Sequence, residues 1–321
     1  MGFVALQSEL VGPALILGIA AAGLYGLFAV PLVLTYQVSR TIGFVQGGIT
    51  LFGMFLYWRI IGAPISISAT GSASAVEQWL AVVVVVAVGA AMGAAYGWTV
   101  TGRLANWPRV RLTIYSLGWL LTLAAAVIML FMTQRAGYRS GLGAPPRVPS
   151  VFGPRSFRLA GVAVTSQQIM TVALLGVLMV LLTAVLLHTR VGTFIRAIAD
   201  DPDAGRWVGI PLNLVGTGVY ALAGALSALA GVFIAATIGL SLLGVMVIFL
   251  RSLTVAVVGG FMSLPLALAG CLVLGIVEAV FAVDGSLSLP TREVLLMGMF
   301  LLVVVLINKV RPLGVIEAGG R

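Results

Sequence analysis

Two apolar runs without a single charge constrain this chain more than any other feature. Residues 78–98 (QWLAVVVVVAVGAAMGAAYGW) and 170–187 (MTVALLGVLMVLLTAVLL) carry no Asp, Glu, Lys or Arg. As helix, about 20 apolar residues cross the hydrocarbon core of a bilayer. No water is available there to backbone N–H and C=O groups, so a run of this kind crosses as a helix that bonds within itself. The rest of the chain agrees. Of its 321 residues 61% are hydrophobic and 8% charged, whereas soluble domains carry about 25% charged residues. The expected fold class is all-α: a polytopic transmembrane helical bundle forming one domain over residues 1–321.

Candidate spans are 11–35, 41–61, 78–101, 112–133, 166–189 and 214–237. Region 241–308 divides in two ways. It holds three segments with GGFMSLP as a tight break between the first two, or 251–283 is one interrupted span. The count is therefore eight or nine. Gly89, Gly93 and Gly97 recur at four-residue spacing, a small-residue pattern that lets helices approach closely in lipid. Internal bundle packing is the expected use.

The net charge of +9 does not point to nucleic acid, because the arginines lie between apolar spans, where basic residues meet headgroups and set topology. Cys271 is the one cysteine, so no intramolecular disulfide is possible, and packing is its expected role. The first basic residue is Arg40, and without a cationic start no cleaved signal peptide is expected. With loop 190–213 in the cytoplasm and nine spans, ten basic residues face inward: Arg40, Arg103, Arg109, Arg111, Arg190, Arg196, Arg206, Lys309, Arg311 and Arg321. The extracytoplasmic loop 134–165 then holds five. The bias favours this orientation by a small margin.

Charge concentrates in RAIADDPDAGRWVGIP, residues 196–211, with Arg196, Asp200, Asp201, Asp203 and Arg206. Upstream, Phe194, Ile195 and Ile198 fall on one side of a helix. Asp201-Pro202 has the form of a helix start, and Gly209 followed by Ile210-Pro211 that of a stop. Two short helical pieces with a bend are expected. They serve either as a solvated, capped turn or as a docking element whose mixed charge and apolar side suit a partner protein.

Residues 192–235 (GTFIRAIADDPDAGRWVGIPLNLVGTGVYALAGALSALAGVFIA) resemble the signature region of branched-chain amino acid ABC transporter permeases. The shared positions are Gly192, Arg196-Ala197, Asp200-Asp201, Ala204 and Gly209-Ile210, while within Ala225–Gly231 LSALAG replaces the fuller family repeat. LRSLTVAVVGGFMSLPLALAGCLVLGIVEAVF (250–281), Arg311-Pro312-Leu313-Gly314 and GLYGLFAVPLVLTYQVSRTIGFVQGGITLFG (23–53) resemble three further family segments in the same order. One departure stands out. Gly43-Phe44-Val45-Gln46-Gly47 occupies the place of Asn-Phe-Ala-His-Gly, which leaves the cargo open between branched-chain amino acids and a similar small polar solute such as urea or a short amide.

The resemblance implies a permease subunit of an ATP-driven importer in the bacterial plasma (inner) membrane. Its implied partners are two ABC ATPase subunits, which bind the ATP and magnesium, a second permease subunit, identical or homologous, and an extracytoplasmic solute-binding protein. The loop at about 190–213 would be the coupling element, with Gly192, Arg196, Ala197, Asp200, Asp201, Ala204 and Gly209 at the ATPase contact. Arg196 either meets a partner carboxylate or holds Asp200 or Asp203. Phe44, Gln46, Gly47, Arg251 and Glu278 are candidates for the translocation path.

No cofactor is expected in this chain. The P-loop pattern is missing, since Lys309 precedes Val310 and no glycines lead to it. One His, one Cys and scattered acids compose neither a metal cluster nor a triad. The rival class is an ion-coupled secondary transporter or channel using Arg251 and Glu278, since charges within spans mark relays by default.

Overall fold

In the computed structural model the described residues are 2–61, 75–132, 148, 156–159, 162–200, 211–261, 263–284, 291, 294–296 and 298. Helix α1 (Gly2–Ser39) is followed by α2 (Val45–Ile61), α3 (Ala75–Trp98) and α4 (Arg109–Val127). A hairpin, β1 (Ser156–Leu159) and β2 (Val162–Thr165), leads into α5 (Ser166–His188) and α6 (Arg190–Asp200). Then come α7 (Leu212–Ile238), α8 (Leu242–Val258) and α9 (Leu264–Asp284). Six of the helices contain stretches long and apolar enough to cross a membrane, while α2 and α8 are shorter apolar helices.

The expected spans before residue 238 each correspond to one helix. Single π-helical turns, Thr99–Arg103 and Ile128–Met132, extend α3 and α4. Between α8 and α9 the chain takes the tight break and is not one interrupted span, since it folds back to set Gly259 against Ala267. Gly260 and Phe261 have φ of 63° and 54°, and their amides donate to the carbonyls of Val257 and Ala256, ending α8. The uncommon conformation at Phe261 is held by its ring, which stacks on Tyr36 with centroids 4.3 Å apart. Most of the third apolar stretch, to residue 308, lies outside the described residues.

The hairpin is an addition to the all-helical expectation. Ser156 pairs with Thr165 and Leu159 with Val162 in an antiparallel register. Strands of four residues offer too few alternations for their period to be read. Thr165 also starts α5. Its hydroxyl accepts from the Gln168 amide while the Gln168 side chain accepts from the Thr165 amide, the reciprocal cap that satisfies two orphan donors.

Small residues decide which helices meet. Gly89 faces Gly224 and Ala228, and Gly97 faces Tyr220 and Thr217, so α3 and α7 run antiparallel. A Cβ on Gly93 would stand 3.0 Å from the Gly224 Cα, within backbone contact. The same closeness joins α1 to α9, where a Cβ on Gly18 would stand 2.6 Å from the Ile276 Cα. Against α3, α4, α7 and α8 lies α2, buried at Val45 through Leu51 and again at Gly53, Met54, Phe55, Tyr57 and Trp58. A helix apolar on all sides is an interior helix. By contrast α4 turns Val110, Ile114, Leu121 and Met129 outward.

The bundle has two distinct ends. A pocket at one end brings together Arg40 after α1, Asn106 between α3 and α4, Arg109 at the start of α4, Ile198 of α6 and Leu212 of α7. The hairpin and the start of α5 lie at the other. By chain direction Arg40, Arg103, Arg109, Arg111, Arg190 and Arg196 stand at the α6 end, and Arg59 and Arg158 at the hairpin end.

Gly93→Leu is expected to force α3 from α7 and lower the melting temperature of the detergent-purified protein, since overpacking costs about 1–3 kcal/mol or more. Gly118, with nothing within 4 Å of its would-be Cβ, supplies the control: Gly118→Ala leaves the melting temperature unchanged or raised.

Candidate functional site

Three helices each contribute one polar side chain to a buried triangle. Tyr25 comes from α1, Arg251 from the middle of α8 and Glu278 from α9. Arg251 Nη1 donates to Glu278 Oε1 at 2.5 Å and to the Tyr25 hydroxyl oxygen at 2.7 Å. The Tyr25 hydroxyl in turn donates to Glu278 Oε2. The side chains of Arg251 and Glu278 are only 10% and 14% exposed. Removing two charges from water is costly and is offset only where geometry and extra hydrogen bonds are good. Tyr25 supplies the extra bonds here, and its ring lies 5.8 Å from the guanidinium carbon, within cation–π range.

The triangle faces a cavity of about 540 Å³ bounded by α1, α7, α8 and α9, with Gln168 of α5 at its rim. Most of its wall is aliphatic, including Leu17, Leu24 and Ile248. The sequence marked Arg251 and Glu278, 27 residues apart, as candidates, and the fold brings them into contact. Tyr25 was not singled out. Its position in a glycine-flanked apolar run, GLYG, carries no charge to draw attention.

Phe44, Gln46 and Gly47 lie elsewhere, at the start of α2. Phe44 packs on Phe249 with ring centroids 5.7 Å apart. A Cβ on Gly47 would touch Leu120 and Phe249 at 3.3 Å. Gln46 is fully buried. Its Oε1 accepts from Ser227 Oγ at 2.7 Å, while its Nε2 has no hydrogen-bond partner among the described residues. Gln46 therefore makes a buried polar contact between α2 and α7, Phe44 and Gly47 pack against α4 and α8, and none of the three lines the Arg251–Glu278 cavity. Ser116 donates to the Ile42 carbonyl in the non-helical link ahead of them at 3.1 Å, and Tyr220 donates to Ser39 Oγ at the end of α1 at 2.9 Å.

The first of the two expected loop helices is present as α6, a strongly amphipathic helix. Ile195 and Ile198 are buried, whereas Phe194 is 36% exposed and does not share their burial. Gly192 is wedged on the last turn of α5, where a Cβ would stand 2.5 Å from the Leu186 Cα. Its small size is thus required by packing alone. Arg196 is exposed and Ala197 half-buried. Asp200 closes α6, and Asp201, Ala204 and Gly209 lie outside the described residues.

Residues 14–305 match the family described as the branched-chain amino acid transport system permease component. The chain belongs to this family. It is a transport subunit, a multi-pass permease of the bacterial inner membrane that works within a transporter complex. It is 26% identical over 305 residues to the high-affinity branched-chain amino acid transport system permease protein LivH of Salmonella typhimurium, covering 93% of each chain. LivH of Escherichia coli K12 gives 26% over 306 residues, again 93% of each. The corresponding protein BraD of Pseudomonas aeruginosa gives 25% over 309 residues, 94% of each. No solved structure matches the permease.

Breaking the triangle one residue at a time leaves a buried charge unpaired. Arg251→Met and Glu278→Met are each expected to cost about 3–5 kcal/mol, and the double variant to recover most of the loss. Thermal unfolding of the four proteins in detergent tests this, because independent roles would make the two losses add.

Proposed function

We propose that this permease carries branched-chain amino acids, or a similar small polar solute, across the membrane in an importer driven by ATP. Two ATPase subunits bind ATP and magnesium, a second permease subunit completes the membrane unit, and an extracytoplasmic binding protein delivers the cargo. The reading is carried by the match over residues 14–305 to a transport-system permease family. The names of the relatives, high-affinity branched-chain amino acid transport permeases at 25–26% identity over nearly the whole chain, support the cargo class.

Coupling is assigned to α6 and the segment after it. Ile195 and Ile198 root α6 in the bundle, and Gly192 fixes it to α5, so a force on its outer face reaches α5 directly. That face presents Thr193, Phe194 and Arg196. An aromatic and an arginine are the side chains most enriched at protein contacts. Asp200, with Asp201, Ala204 and Gly209 beyond it, completes the ATPase contact in this reading, and Arg196 pairs with a carboxylate of the ATPase. The excess of described arginines at the α6 end agrees with a cytoplasmic position under the positive-inside rule.

Two measurements test the assignment. In a Cys271→Ser background, Trp107→Cys, at an exposed position between α3 and α4, is labelled from the cytoplasm, and Ser140→Cys only from outside. Labelling of Ser140→Cys from the cytoplasm alone contradicts the orientation. Arg196→Glu is expected to lower ATP-dependent uptake by about ten-fold or more with membrane insertion unchanged, as reversal of an interface charge does.

A further inference from the structure

The cavity at the hairpin end is built for a particular kind of ligand. Its walls are aliphatic, from Leu17, Leu24 and Ile248. Its uncharged polar lining residues outside the triangle each make a local hydrogen bond. Ser241 accepts from the Gly244 amide, Thr237 donates to the Phe233 carbonyl, and Gln168 accepts from the Thr165 amide. The charged chemistry that lines the cavity is the triangle of Arg251, Glu278 and Tyr25, one cation and one anion side by side. The volume, about 540 Å³, falls within the range of small-molecule sites.

We propose that this cavity is a binding site, within the permease itself, for a zwitterion with a short apolar side chain. Arg251 takes the α-carboxylate, Glu278 and the Tyr25 hydroxyl take the α-ammonium, and the aliphatic wall takes the side chain. The ligand inserts into the Arg251–Glu278 pair and exchanges one ion pair for two, so every charge stays partnered and the site stays neutral. A ligand with one charge leaves Arg251 or Glu278 unpaired in an apolar cleft, which is strongly unfavourable. An uncharged amide or urea offers no charge to open the pair. The triangle thus selects amino acids over amides, and this inference rests on the import reading above.

The test is equilibrium binding of radiolabelled leucine to the full-length permease in lipid nanodiscs, without ATPases or binding protein. Saturable binding is expected. Leucinamide, which lacks the carboxylate, 4-methylpentanoate, which lacks the ammonium, and isobutyramide should each compete at least about ten-fold less well than leucine. Glu278→Gln and Arg251→Lys should each weaken binding by a similar factor. Ala21 lines the cavity without belonging to the triangle, so Ala21→Phe fills the space and should abolish binding with an unchanged melting temperature. The site is overturned if leucine shows no saturable binding, if the three analogues compete as well as leucine, or if a stably folded Ala21→Phe binds like the parent. Amino-acid uptake by the complete transporter is measured alongside. Uptake without binding removes this site and leaves the import reading standing, whereas absence of both leucine binding and amino-acid uptake removes the site and the amino-acid cargo and leaves import of another small polar solute.

Discussion

Backbone contact between helices is the constraint on which the rest of this permease depends. In lipid, neighbouring apolar side chains gain little by leaving tails as apolar as themselves, so helices associate through close packing. Gly93 and Gly224 bring α3 and α7 within backbone reach, and Gly18 and Gly275 do so for α1 and α9. With these pairs closed, the short helix α2 is buried in the interior, while α8 buries one face and leaves Leu243 and Leu250 exposed. α8 then holds Arg251 where α1 and α9 can answer it. A side chain larger than glycine at these crossings would separate the helices and withdraw the partners of the charge.

The interior charge has a definite logic. A lone Arg251 in an apolar bundle would be strongly destabilising, and a lone Glu278 equally so. Paired, with Tyr25 bonding to both, they form a neutral knot joining three helices. Such a knot makes a modest claim on stability beside an apolar replacement of similar volume. Its value lies in selectivity, since it can be opened only by a ligand that supplies both signs of charge. α6 makes the complementary arrangement at the other end of the bundle, rooted by two isoleucines and turning Phe194 and Arg196 outward.

Much of this was legible in the residues. Span positions followed from charge-free runs, and the Gly89–Gly93–Gly97 row announced a packing face that α7 fills. The break at Gly259-Gly260 was visible in both partitions, and the fold-back that sets Gly259 against Ala267, turned by the positive φ of Gly260 and Phe261, decides between them. Other features depend on contacts that sequence spacing does not encode. Phe194 is at helical spacing with Ile198, yet the rotation of α6 on the bundle leaves it exposed. Tyr25 lies 253 residues from Glu278, and only the crossing of α1 and α9 brings them together. Gln46 was recognisable as a departure from the family pattern, whereas its partner Ser227 was not, because α2 had first to be placed against α7.

In the proposed function the energy source lies outside this chain and acts through α6. Uptake of radiolabelled leucine by proteoliposomes holding the permease and its ATPase partners, with proton and sodium gradients collapsed, tests this most directly. The account predicts uptake that requires internal ATP and binding protein and that is indifferent to ionophores. Uptake that persists without the ATPases and follows a proton or sodium gradient would contradict it, and would make Arg251 and Glu278 an ion relay.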